Sequence, residues 1–181
     1  MSLEALNTAG VLLTAVIIAT TAIAAVIQLR HIRASNELTA FSEAMELWYA
    51  PSVQEGFRFI QHDLEEKMKD PAFRNDLDSA GVVDHTRHPE LSPVDFFDNI
   101  GVMVSLGLLR EEVILHPASQ LVENLWERLS PTIAIMRRKR GRQLYVSFEY
   151  LAARARVWQD RYPEGFQVKG WERLANPDVW S

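Results

Sequence analysis

Cysteine is absent from this 181-residue sequence. Its absence excludes disulfide bonds, thiolate zinc sites and thiol chemistry, and it is compatible with a domain that faces a reducing cytoplasm. Three enzyme motifs are also missing: a Gly-rich phosphate loop, a serine in a nucleophile elbow, and a helical His-Glu metal motif. The sequence therefore predicts a protein that is not an enzyme, with no cofactor and no small-molecule substrate.

Charge is absent from residues 5–29, between Glu4 and Arg30. Most of these residues are Ala, Val, Ile or Leu, and about 20 apolar residues in a helix cross the roughly 30 Å hydrocarbon layer of a membrane. A signal peptide is the alternative, because Ala-Ile-Ala at residues 22–24 has the spacing of small residues at a cleavage site. The acidic Glu4 and the lack of a basic residue before the apolar stretch favour an uncleaved transmembrane helix.

Basic residues follow the apolar stretch directly, at Arg30 and Arg33. Cytoplasmic flanks of membrane helices carry an excess of Lys and Arg. The sequence therefore predicts a single-pass membrane protein with its amino terminus outside and its C-terminal domain in the cytoplasm.

Small and polar residues recur along one face of the apolar stretch, at Gly10, Thr14, Thr21 and Gln28. Small and hydroxyl residues let helices approach closely in lipid, and a glutamine can hydrogen-bond to a neighbouring helix. We expect this stripe to associate with another membrane helix. The alternative is that the threonines bond to their own backbone and Gln28 reaches the lipid headgroups.

A helical apolar pattern continues beyond the membrane segment, and no helix stop occurs before Pro51. The pattern predicts one helix of about 40 residues that leaves the membrane as a stalk. Its apolar seam, through which the stalk would assemble with a partner, is expected at Leu38, Phe41, Met45 and Trp48.

The rest of the chain also has helical periodicity, so the predicted fold class is all-α: a transmembrane helix continuous with a stalk helix, followed by a small cytoplasmic helical bundle. The expected parts are residues 1–29 (N-terminal segment and transmembrane helix), 30–69 (stalk and the following helix), 70–162 (bundle) and 163–181 (tail).

Turn and cap residues locate the bundle helices. Ser92 is the expected N-cap of one helix and Gly107 its stop, Pro117 is expected to open the next helix, and the last helix is expected near residues 145–162. Residues 70–92 are expected to form an irregular connection that contains one short helix.

Four potential metal ligands cluster in that connection, at Asp84, His85, His88 and Glu90. Because no helical His pair fixes their geometry, we expect a solvated loop and no metal site.

Two carboxylates stand three residues apart at Asp95 and Asp98. Acid-base catalysis needs a cleft and perturbed pKa values, which the sequence does not show. We expect Asp95 to favour the start of its helix and Asp98 to face solvent.

A basic cluster is the strongest charge feature of this acidic chain, whose net charge is −5. It comprises Arg137, Arg138, Lys139, Arg140 and Arg142. We expect these residues, with Arg30 and Arg33, to contact anionic lipid headgroups or an acidic partner. A solvated helix end is the alternative. No aromatic residue interleaves the cluster, so no nucleic-acid partner is expected.

Two tryptophans in the tail, Trp171 and Trp180, are expected either to anchor an interface or to fold back onto the bundle.

Four segments carry a resemblance to a known family: "QLRHIRASNELTAF", "DFFDNIGVMVSLGLLREEVIL", "WERLSPTIAIMRRKRG" and "SFEYLAARA". From Ala9 to about Trp158, the chain resembles bacterial membrane-anchored proteins grouped as a domain of unknown function. The resemblance implies one N-terminal membrane helix and a cytoplasmic helical domain, and it implies no catalytic residues.

These features predict a membrane-anchored interaction or scaffold protein, either a subunit of a homo-oligomer or an accessory subunit of a larger membrane complex. The alternative is a pore or transport element formed by several transmembrane helices.

Overall fold

The computed structural model describes residues 3–166, 168 and 170. That part of the chain forms seven helices and contains no strand, so the predicted all-α fold class is confirmed. The helices are α1 (Leu3–Trp48), α2 (Pro51–His62), α3 (Leu64–Lys67), α4 (Pro71–Leu77), α5 (Leu91–Ser105), α6 (Glu111–Arg140) and α7 (Val146–Arg161).

The chain divides into two compact units, Met1–Ala44 and Met45–Ser181. The first unit contains most of α1. This helix runs without a break to Trp48, as the sequence predicted, and it contains one segment long and apolar enough to cross a membrane. The most apolar window has a mean hydropathy of 2.5, and none of it is buried inside the protein.

The core of the second unit forms where α5 and α6 pack against α7. Gly101 allows this packing, because a Cβ there would overlap the backbone carbonyl of Ser147. The rings of Phe97 and Phe148 stack beside this contact, with centroids 5.4 Å apart. The face of α7 that packs into this core consists of five buried residues: Phe148, Leu151, Ala152, Ala155 and Trp158.

Ion pairs join α6 to α7 around this core. The guanidinium of Arg154 donates two hydrogen bonds to Glu111, of 2.7 and 2.6 Å, and it lowers the pKa of that carboxyl. Glu123 accepts from both Arg156 and Gln159. Two carboxylates of α6 therefore fix the register of α7.

A second apolar cluster joins α4, the connection that follows it, and the end of α6. Its buried members are Leu77, Val83, Leu91, Ile135 and Met136. This cluster holds residues 78–90 against the bundle, although they contain no helix.

Helix α6 is longer than the sequence predicted. Pro117 was expected to open a helix, but α6 begins at Glu111 and contains both Pro117 and Pro131. A proline leaves the carbonyl four residues earlier without its backbone donor. The hydroxyl of Ser130 donates to the Glu127 carbonyl at 3.3 Å and so replaces the donor missing at Pro131.

The start of α5 also differs from the prediction. The helix begins at Leu91, so Glu90 and not Ser92 occupies the N-cap position. The predicted stop is confirmed, since the helix ends at Ser105 and Gly107 adopts a φ of +68°, which favours glycine.

Candidate functional site

A buried histidine lies between two carboxylates at the edge of the bundle. Nδ1 of His88 lies 3.0 Å from Oε1 of Glu90, and Nε2 lies 3.2 Å from Oδ2 of Asp76. The side chains of His88 and Glu90 are 1% and 0% exposed, whereas Asp76 is 37% exposed. The predicted solvated loop is therefore wrong for His88 and Glu90.

Local hydrogen bonds place these residues. Asp70 caps α4 by accepting from the Ala72 amide at 2.8 Å, and Pro71 occupies the first turn. In the connection, Asp84 accepts from the amide and the hydroxyl of Thr86, and these bonds lower the pKa of Asp84. The resulting turn lets the His88 amide donate to the Asp84 carbonyl and returns the chain toward α4.

Glu90 is the most unusual charge in this cluster. Burial raises its pKa above the ordinary value, and the hydrogen bond from His88 opposes that effect. Its second oxygen, Oε2, is buried and has no hydrogen-bond partner among the described residues. An ionised carboxylate is costly in such surroundings.

A groove of about 700 Å³ opens where Asp76 and His88 reach the surface. We call it the α4 groove, and its main walls are Phe59, Lys67, Phe73, Asp76, Arg87 and His88. Arg87 extends across one side, with Nη1 3.4 Å from Oδ2 of Asp76. The groove has the volume of a small-molecule site, and more of its lining is polar than apolar.

A second titratable set lies around Asp95. Its carboxyl is hydrogen-bonded to Tyr145, and Oδ2 lies 3.6 Å from Nε2 of His85. Burial raises the pKa of both Asp95 and Tyr145. A shallow groove of about 390 Å³ passes His85, Arg140 and Tyr145.

The predicted roles of the two α5 carboxylates need correction. Asp95 bonds to Tyr145, which lies just before α7. Asp98 does not face only solvent, because Oδ1 accepts from the Phe148 amide at 2.9 Å. Phe148 lies in the first turn of α7, so Asp98 caps that helix from α5.

The four potential ligands of the connection do not converge. Glu90 and His88 are turned inward, whereas Asp84 and His85 are exposed. Among the described residues, no group of three or more His, Asp or Glu side chains has the arrangement of a metal site.

Three cations of the basic cluster have partners within the bundle. Arg137 forms a 2.7 Å ion pair with Glu149, and Lys139 lies 3.7 Å from Asp78. Arg140 donates to the carbonyls of residues 77 and 81, at 2.8 and 2.6 Å.

Arg138 and Arg142 are the two remaining cations of the cluster. Both are exposed, and neither forms an ion pair or hydrogen bond with the described part of the chain. They are therefore the residues of the cluster with unused charge for a lipid headgroup or an acidic partner. Arg30 and Arg33 of α1 are also exposed.

The predicted association stripe is exposed along its length: Gly10, Thr14, Thr21 and Gln28. The Thr14 hydroxyl donates to the Gly10 carbonyl and the Thr21 hydroxyl to the Ile17 carbonyl, both at 2.8 Å. The two threonines therefore bond to the backbone of their own helix, which is the alternative pattern. Within the described part of the chain, the side-chain amide of Gln28 remains available to bond to another helix.

The predicted seam is not uniform. Leu38 is 69% exposed, whereas Phe41, Met45 and Trp48 are half-buried. Trp48 belongs to the second unit and contacts the rings of Phe57, Phe96 and Phe97. The predictions for Trp171 and Trp180 lie outside the described residues.

Sequence reasoning did not single out the burial of His88 and Glu90. Their neighbours Asp76 and Phe73 lie on another element, and the Phe73 and His88 ring centroids are 4.2 Å apart. Burial that arises from elements distant in sequence leaves no periodic signal in the loop itself.

Comparison with curated proteins finds no match, and comparison with solved structures finds none. A family model described as a domain of unknown function, DUF4760, matches residues 15–155. The match begins in the apolar part of α1 and ends in α7, so it includes the buried His88 cluster and the basic cluster. The chain therefore belongs to the DUF4760 family, a family of unknown function.

Proposed function

We propose that this protein is a single-pass protein of the bacterial inner membrane whose cytoplasmic helical bundle takes part in protein assembly. The observation that carries the proposal is the exposure of the apolar side chains of α1. Val11, Leu13, Ile18, Ile23 and Leu29 each expose between 59% and 64% of their surface. Water is an unfavourable solvent for a continuous apolar helix of this length, and lipid is a favourable one.

Charge supports an orientation with the bundle inside. Arg30 and Arg33 follow the apolar segment, and Glu4 precedes it. Arginine at a helix flank favours the cytoplasmic side, and its long side chain reaches the anionic headgroups from there.

The stripe on α1 supports association within the membrane. A Cβ added at Gly10 would meet no atom within 4 Å, so this position leaves room for a neighbouring helix. Gln28 is exposed near Arg30, where its amide can donate to and accept from another helix. A second copy of the chain or a larger membrane complex would provide that helix.

The test is the size of the full chain in a mild detergent and in lipid nanodiscs. We expect a defined oligomer or a copurifying membrane protein, and we expect Thr21→Leu combined with Gln28→Leu to reduce the association. Thr20→Leu is the matched control, because Thr20 also bonds to its own helix but lies on another face.

A monomer that the substitutions leave unchanged would contradict the assembly role. Ion flux through liposomes that contain the purified protein would instead favour the pore alternative.

A further inference from the structure

We propose that the α4 groove binds a small ligand in which an anionic group, a phosphate or a carboxylate, is attached to a planar ring. The groove is a different site from the α1 stripe, so this inference does not depend on the proposed role in assembly.

The acidic residues of the groove are already used within the protein. The Asp70 carboxylate accepts from the Ala72 amide as the cap of α4. Oδ2 of Asp76 faces both Nε2 of His88 and Nη1 of Arg87. Both carboxylates therefore already accept a hydrogen bond from the protein itself.

The basic residues of the groove retain most of their capacity to donate hydrogen bonds to an anion. The Lys67 side chain is exposed and forms no ion pair or hydrogen bond with the described residues. Arg87 is 71% exposed, and the one polar contact of its guanidinium with a described residue is the long 3.4 Å approach to Asp76. A guanidinium has five N–H donors and an ammonium has three, so an anion is the group that this groove can still bind.

Aromatic rings form the apolar wall. The centroids of Phe59 and Phe73 are 6.2 Å apart, and the centroid of Phe73 lies 4.2 Å from that of His88. Aromatic walls favour planar apolar groups through offset stacking or edge contacts. A ligand with a flat ring against Phe59 and Phe73 would place its anionic group toward Lys67 or Arg87.

The walls are held in place before any ligand binds. His88 is fixed by hydrogen bonds at both ring nitrogens, and its ring supports Phe73. Nη1 of Arg74 donates to the carbonyls of Met68 and Lys69, at 2.6 and 2.8 Å, which ties the turn after Lys67 to α4. Such preorganisation reduces the entropy lost on binding.

The experiment is ligand-observed NMR of the full chain in lipid nanodiscs, with phenyl phosphate as the probe. Inorganic phosphate, phenol and benzylamine are compared with it, and empty nanodiscs report binding to lipid. We expect phenyl phosphate to bind with a Kd of about 1 mM or tighter, as is usual for a ligand of this size. Phosphate and phenol should each bind at least 5-fold more weakly, and benzylamine more weakly still.

Variants then locate the site. Lys67→Gln and Arg87→Gln should each weaken phenyl phosphate binding roughly 3- to 10-fold, and Phe59→Leu should weaken it without changing the affinity for inorganic phosphate. Lys69→Gln is the matched control, because that nearby lysine is paired with Glu66.

Any of three results would overturn the inference: phenyl phosphate shows no binding at 10 mM, benzylamine binds more tightly than phenyl phosphate, or Lys67→Gln and Arg87→Gln bind phenyl phosphate as tightly as the wild type does. If inorganic phosphate binds as tightly as phenyl phosphate, the ring contributes nothing to the affinity. That result would also contradict the inference. Thermal unfolding of each variant shows whether a loss of binding reflects a loss of fold.

Discussion

Nδ1 of His88 lies 3.0 Å from Oε1 of Glu90, and the two side chains are almost completely buried. Pairs of this kind are seldom strong sources of stability, because desolvation of both charges offsets their attraction. They do make the protein sensitive to changes in either partner and to pH.

Glu90→Gln should stabilise the protein increasingly as pH rises. Burial raises the folded-state pKa of Glu90 above its ordinary 4.5. The favourable contribution of the protonated carboxyl is therefore present below pH 4.5 and is lost as pH rises through the raised value. Glutamine stays neutral and can still accept from His88, so it avoids this loss.

The measurement is the free energy of unfolding in urea, for the full chain in detergent, between pH 4 and pH 8. Glu55→Gln is the control, since Glu55 is exposed. If Glu90→Gln becomes less stable than the wild type as pH rises, the ionised pair is a net source of stability and the prediction is wrong.

Removal of one partner of the His88–Glu90 pair should lower the free energy of unfolding more than removal of both partners. His88→Leu leaves the Glu90 carboxylate buried and unpaired, which should lower the free energy of unfolding by about 3–5 kcal/mol. His88→Leu combined with Glu90→Leu leaves no unpaired buried charge, so the double variant should recover about 2 kcal/mol. Urea unfolding of the set at pH 7 measures this, and a double variant less stable than His88→Leu would refute it.

Gly101→Ala should destabilise the bundle through the close approach of α5 and α7. The new methyl group would overlap the Ser147 carbonyl, and overpacking of this kind costs about 1–3 kcal/mol. At Gly81 an added Cβ would meet nothing within 4 Å, so Gly81→Ala is expected to change the stability by less than about 1 kcal/mol. Equal thermal stability of the two variants would show that α5 and α7 can move apart without destabilising the bundle.

Arg140 and Arg138 should differ sharply although they share the basic cluster. Arg140→Gln removes charged hydrogen bonds to the carbonyls of Leu77 and Gly81 and should cost about 2 kcal/mol. Arg138→Gln should stay within about 0.5 kcal/mol of the wild type, because Arg138 is exposed. A comparison of urea midpoints checks both values, and similar losses would contradict the division of the cluster into used and unused cations.

Local patterns in the sequence were sufficient to predict those elements that are determined by residues close together in the chain. The uninterrupted helix from the apolar stretch to Trp48 and the stop at Gly107 each follow from nearby residues. The buried face of α7 follows from its own periodicity, since Phe148, Leu151, Ala155 and Trp158 recur at helical spacing.

The parts that the sequence did not predict depend on partners elsewhere in the chain. Pro117 and Pro131 are normally signs of a helix start, but buried residues on both sides of each proline keep α6 continuous. Glu90 and His88 look like solvent-facing loop residues until Asp76 and Phe73 are placed beside them. The α4 groove likewise joins α2, α3, α4 and the connection, and its side chains are far apart in sequence.

We propose a single membrane crossing with the bundle inside the cell, and the absence of cysteine from the sequence makes this topology directly measurable. Asn7→Cys and Val82→Cys place one thiol on each side of the proposed span, and Val82 is fully exposed. A membrane-impermeant maleimide should label Asn7→Cys in bacterial cells whose outer membrane has been permeabilised, and should label Val82→Cys only after the inner membrane is opened. Labelling of Val82→Cys while the inner membrane is intact, or recovery of the protein in the soluble fraction, would contradict the account.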